Sequence, residues 1–440
     1  MSRCDRRGRH RRRPARLWIG ALLATGAGAA AVAAAPGAAR ADTIDATSTT
    51  LVSGRQDPRD GVVHTTVPVF ELVSLRATDI RLRGVDDLNV IMSGWGEVTL
   101  TGTDDGKHGL GDLDIAYVEG KLGKRRLTVR LGRQMLVAGA GRNLAFDGAN
   151  VTLAPVRWAG LSAQAGVPVT PRFAVHRGDF MFGGRAFFKP GFDSEAGVSF
   201  LQVLDHGDIA RQDLAGDARF VLPRLSAVSL TGFVRYSLYD ERVAEAQATA
   251  TGQLSSKLEV TAGYRRTAPD LFLPRNSIFS VFSQETRDEV GAYFYVRLCN
   301  CLRLQGDYHV ILDEQGTGHD ASAKLTHALF GDNRDSVGVE ARLLVLPGDH
   351  GYTMGRLFAL GWLAPRVLAT LDASAFFFEG DVNGHDRSFN GAATVSYDFK
   401  PGWRAQVVGI GSVTPFAERR FEAMAKLAYQ FSHQIRQVRP

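Results

Sequence analysis

Cys299-Asn300-Cys301 sets two thiols one residue apart, the only cysteines besides Cys4. Such a pair could close a disulfide, strained at that spacing, or stand as two free thiols. No further cysteine or histidine cluster is spaced to complete a zinc site. Hydrolysis needs a nucleophile with a base in reach. Eleven histidines are scattered. His309 lies near Asp307 and His327 lies on another segment, but G-x-S-x-G and H-E-x-x-H are both absent. Asp104-Asp105 and Asp381 offer carboxylates to Ca²⁺, although acids in polar loops ordinarily just solvate a surface. Gly139 and Gly141 form no phosphate loop, because no helical pattern follows them. No catalytic centre, metal or cofactor is therefore expected.

What remains is charge on alternating positions. Arg130, Arg235, Glu259, Arg297, Arg303, Asp307, Glu340 and Arg342 each sit on the polar face of a period-2 run. In "GAYFYVRL" Ala292, Phe294, Val296 and Leu298 oppose Tyr293, Tyr295 and Arg297. After Cys299-Asn300-Cys301, Leu302, Leu304, Tyr308, Val310 and Leu312 oppose Arg303, Gln305, Asp307 and His309. Two such runs about a tight turn make a β-hairpin. "AVSLTGFVRYSLYD", "KLEVTAGYRR", "SVGVEARLLV" and "AATVSYDF" repeat the pattern. Their polar face is small or ionic and their apolar face ends in aromatics, as a hydrated lumen and a lipid-facing wall require. A soluble sandwich would also alternate, but it would seldom do so over the whole chain without linkers.

The compartment follows from the first 41 residues. An Arg-rich start, the apolar run "LWIGALLATGAGAAAVAAA" and the site Ala39-Arg40-Ala41 read as a cleaved signal peptide. They divide the chain into 1–41, a leader, and 42–440, a single domain. Of 52 basic and 46 acidic residues, the leader holds nine and one, leaving 43 and 45. The high pI thus belongs to the leader and gives no support to a nucleic-acid partner. No later stretch approaches the length of a transmembrane helix.

Connections fall into two alternating classes. Tight ones occur at Gly123-Lys124, Pro155-Val156, Pro223-Arg224, Ser255-Ser256, Cys299–Cys301, Ala364-Pro365 and Lys400–Gly402. Longer polar ones are "TDDGKHGLG", "VTPRFAVHRG", "DEQGTGHD", "EGDVNGHDR" and "TAPDLFLPRNSIFSVFSQET". These suit a periplasmic and an extracellular rim. Counting back from Phe431, parity predicts an all-β antiparallel transmembrane barrel of 22 strands, with 18 or 20 allowed. The first strand is "TTLVSGRQ", residues 49–56, turning at "DPRDG".

The last strand, "FEAMAKLAYQF", resembles that of Gram-negative outer-membrane β-barrel proteins, which end in aromatic-x-aromatic; here this is Tyr429-Gln430-Phe431. "VRLGRQML" followed by "LAFDGANVTL" is similar to G-R-Q and F-D-G runs in porins of the alginate-export and related large-barrel families. The resemblance implies an outer-membrane, porin-like channel for small polar solutes or ions. It also implies lipid, periplasmic chaperones and the barrel-assembly machinery as partners, with a second copy of the chain a further candidate. The alternatives are a plugged binding or structural barrel and a barrel enzyme acting on lipid. A wide lumen needs narrowing. The apolar loop 267–286 is the expected constriction, carrying Leu271, Phe272, Phe279 and Phe282 with Arg275 and Asn276 at its tip.

Overall fold

The computed structural model describes residues 43–59, 62–82, 84–101, 109–169, 178–191, 193–222, 228–271, 286–329, 334–348 and 350–434. In it, 23 strand segments join one antiparallel sheet. Val62–Thr66 and Pro68–Leu82 are separated only by Val67, and both pair with Thr43–Arg59. They share one stave, so the barrel has 22. The first strand also pairs with the last, from Thr43↔Gln434 to Arg55↔Glu422. That pairing closes the sheet and removes its edges. An even stave count brings both ends of the barrel chain to one rim, as parity required. Among the described residues no helix is long and apolar enough to cross a membrane.

Which face is concave follows from one segment. Residues 136–144, with the 3₁₀ turn Gly139–Gly141, join a buried apolar cluster with Phe146, Met181 and Leu201 and reach Ser199, Arg211, Phe233 and Glu245 on four consecutive strands. A short segment can reach four staves only from inside the curve. Register then carries the assignment around the wall: Arg235↔Glu245↔Thr267↔Arg287, Tyr293↔Asp307↔Ser322↔Arg342, and Phe146↔Gln134 in the other direction. The opposite face carries Leu131, Val151, Leu161, Val198, Leu214, Val339, Leu357 and Val407, all exposed, as a lipid-facing band requires. Aromatic contacts mark its two borders. Phe399, Trp403 and Tyr429 pack ring against tilted ring at the rim of the chain ends, and Phe377 meets Phe389 edge-on towards the other rim. Phe389 and Phe399 are about 33 Å apart along their strand, or about 25 Å across the bilayer at the usual tilt.

Two of the expected long loops are strand instead. "DEQGTGHD" turns at Glu314-Gln315, between Leu302–Asp313 and Gly316–Ala328. "EGDVNGHDR" turns at Asn383-Gly384, where both φ angles are positive (49° and 77°), the conformation that an Asn-Gly hairpin supplies. Beyond the bilayer both faces of a strand are wet, so polar residues on both faces no longer signal a loop. The tight turns fall within two residues of their expected places, except Pro223-Arg224, which lies outside the described residues.

Candidate functional site

The inner wall has two unlike halves. On one, residues 136–144 fold inward from the connection between Leu127–Met135 and Ala145–Val156. Backbone bonds Leu136 N–H to Leu144 O (3.0 Å) and Asn143 N–H to Leu136 O (2.9 Å) close the base of this segment. Gly139 holds φ +70°, and a side chain there would run into Ser199. The Ala140 N–H donates to Ser199 Oγ at 2.7 Å, and Arg211 Nη2 donates to the Ala140 carbonyl at 2.9 Å. Arg142 Nη2 reaches Glu245 Oε1 at 2.5 Å with its guanidinium 4.2 Å over the Phe233 ring. Beneath lies a buried ionic group: Asp213 accepts from Arg211 and stands 3.8 Å from Arg235 Nε, which in turn faces Glu245 across 3.8 Å. Arg185 bridges Asp217 and Glu195 beside it.

The other half is an open charge lattice. Arg356 spans Glu340 (3.1 Å) and Asp372 (2.5 Å), and Arg342 bonds Asp320 from Nε at 2.8 Å. Lys324 sits 4.7 Å over Phe358, which Arg356 also covers at 5.4 Å. Arg342 and Arg356 remain 41% and 37% exposed despite facing inward in mid-strand. The space they face is therefore large enough for water.

The eight charged candidates occupy this face by register. Arg130 bonds Glu119 at 2.6 Å over the Tyr117 ring. Arg235 is buried under the inward segment at 3% exposure. Asp307 accepts from Ser322. Glu340 and Arg342 belong to the lattice. Arg297 and Arg303 stand opposite each other next to the Cys299 turn, and Glu259 opposes Tyr295. Of the constriction candidates only Leu271 is described, in the turn Pro269–Leu271. Phe272, Arg275, Asn276, Phe279 and Phe282 lie outside the described residues. The inward segment 136–144 was not read as a constriction from sequence. Its signal was a strand connection made of small and apolar residues, "LVAGAGRNL", where a rim loop should be polar.

The G-R-Q and F-D-G runs acquire a structural meaning here. Arg133 Nε and Nη2 grip Asp147 at 2.8 and 2.9 Å, while Nη1 reaches Asp112 at 2.8 Å. This clamps three neighbouring strands on the outer face. Gln134 and Phe146 point the other way and are fully buried, and the Gln134 amide donates to the carbonyls of Arg130, Gly132 and Gly148.

At the turn 298–301 the two sulfurs lie 2.8 Å apart, with Cys299 exposed. Their mutual hydrogen bond holds the Cys299 thiol below its usual range and pushes Cys301 above it. Below the ordinary thiol pKa, thiolate character is concentrated on Cys299. Maleimide labelling of the reduced protein near neutral pH should therefore modify Cys299 first. Cys301→Ala removes the partner, raises the Cys299 pKa and slows that labelling. Equal rates at both positions, as read by peptide mass spectrometry, would exclude the pairing.

No protein-family model and no curated protein matches the chain. Among solved structures, it is similar to the translocation pore of the P pilus usher PapC, with TM-score 0.50 and 10% identity over 88% of this chain and 99% of that one. It is also similar to Pseudomonas aeruginosa OpdQ, with TM-score 0.45 and 11% identity over 90% and 100% of the two chains. Acinetobacter baumannii OccAB4 gives TM-score 0.41 and 10% identity over 91% and 100%. What this chain shares with the usher pore is the fold, a large closed antiparallel β-barrel of the outer-membrane type.

Proposed function

We propose that this protein is an outer-membrane channel for passive passage of small polar solutes or ions, narrowed by the inward segment 136–144. The observation that carries the reading is the exposure of Arg342 and Arg356 within the barrel. Charged side chains a third or more exposed on an inner wall need a water-filled lumen. Paired rows of opposite charge there make a transverse field, which sorts solutes by charge and dipole.

Purified protein reconstituted into planar bilayers should show discrete conductance steps. Membranes that stay silent at every voltage would favour a plugged barrel. A second test addresses the lattice itself. Arg342→Ala with Arg356→Ala removes two inward positive charges, so the reversal potential in a salt gradient should shift towards cation preference. Arg356 pairs with half-exposed carboxylates, and its loss should cost about 1 kcal/mol or less, whereas Arg342 leaves the buried Asp320 without its guanidinium, so heat-modifiable mobility is checked before the current is read. An unaltered reversal potential would place the current path elsewhere.

A further inference from the structure

On the outer face a groove of about 880 Å³ crosses the strands between Val339 and Phe421. It continues into a second hollow of about 530 Å³ through the shared residues Leu357, Ala373 and Gly391. Its floor is glycine and alanine, and its walls are Leu357, Leu371, Phe389 and Phe421. These glycines are not dictated by the fold. A Cβ added at Gly355, Gly391 or Gly409 would meet no atom within 4 Å, and none of the three has a positive φ. Glycine weakens a strand, so three at unobstructed outward positions make a dent that something outside the chain can fill.

The chemistry of the occupant is set at one end of the groove. Arg419 lines it there, and Arg387 lies two residues beyond Phe389 on the same outward face. Both are exposed. Arg387 has Asp386 at 3.1 Å; for Arg419 no ion pair is found among the described residues. This end is the rim opposite the chain termini. Two guanidinium groups above an apolar trough suit an amphiphile with a phosphorylated head and acyl chains. A second copy fits less well, since a two-fold contact would set hollow against hollow and arginines against arginines.

We infer that this groove holds a phosphorylated lipid of the adjoining leaflet, its acyl chains along Ala373, Gly391 and Gly409 and its phosphate on Arg387 and Arg419. The inference rests on the membrane-channel reading. The test is native mass spectrometry of the intact barrel with added diphosphoryl lipid A or its dephosphorylated form. Wild type should retain the diphosphoryl lipid, and dephosphorylation should weaken retention by at least about tenfold, the loss of charge-assisted contacts. Gly391→Leu with Gly409→Leu fills the trough from two positions where an added Cβ meets no atom within 4 Å, so it should fold and conduct yet lose the lipid. Arg387→Ala with Arg419→Ala should lose it too. Three results would overturn the inference: equal retention by the filled variant, equal retention of the dephosphorylated lipid, or a dimer of the chain that the filled variant dissociates. Conductance recorded on the same samples separates this outcome from failure of the channel reading.

Discussion

Replacing Val137–Arg142 with a two-residue Asn-Gly turn should raise single-channel conductance at least about twofold, because the bare lumen of a barrel this size is wide. The replacement is feasible because Leu136 already bonds both Asn143 and Leu144 across the base of the segment, and Asn-Gly suits a two-residue connection. What leaves is the segment that packs on Met181, Leu201 and Phe233 inside the barrel. Its removal also frees Arg211 and Glu245 from Ala140 and Arg142, so ion selectivity should change along with conductance. Heat-modifiable mobility on gels would show whether the 22-stave wall persists. Unchanged conductance in a folded variant would mean that 136–144 lies outside the current path. The narrowing would then have to come from another element, with 267–286 the first to test.

Asp213→Ala should destabilise the barrel by about 3–5 kcal/mol, the usual cost of stranding a buried charge. Asp213 is 2% exposed, takes the Arg211 hydrogen bond and stands 3.8 Å from Arg235, as near as Glu245 does. Without it, two arginines share a dry pocket with one carboxylate fewer. Asp372→Ala is the control. Its partner Arg356 is 37% exposed and keeps Glu340, so its loss should cost about 1 kcal/mol or less. Urea unfolding from lipid vesicles measures both. If Asp213→Ala proved as mild as Asp372→Ala, water would have to reach the pocket beneath the inward segment.

The wall was legible from sequence because a barrel imposes one rule on every stave. Lipid outside and water inside force a period of two, and the runs around Arg130, Arg297, Asp307 and Arg342 obey it across every pairing. Closure was legible by parity, since both ends of the chain must meet at one rim. The rule ends where the bilayer ends. There Asp313–Asp320 and Glu379–Arg387 continue as strand with polar residues on both faces, and polarity no longer separates strand from loop. The inward segment was not legible for a different reason. Its anchors are Ser199, Arg211, Phe233 and Glu245, between 59 and 103 residues downstream, and only the curvature of the closed wall brings them to Ala140 and Arg142. The outer groove has the same character. Gly355, Gly391 and Gly409 are unremarkable in three separate strands and form a trough only when the strands stand side by side.

The most direct test of a water-filled lumen is cysteine accessibility under current, in a background carrying Cys299→Ser and Cys301→Ser. Arg356→Cys places a thiol on the inner wall, and Leu357→Cys places one on the outer wall a single residue away. A charged, water-soluble methanethiosulfonate reagent added to an open channel should lower the current in steps with Arg356→Cys and leave Leu357→Cys unaffected. An inert Arg356→Cys beside a reactive Leu357→Cys would invert the wall and contradict the channel.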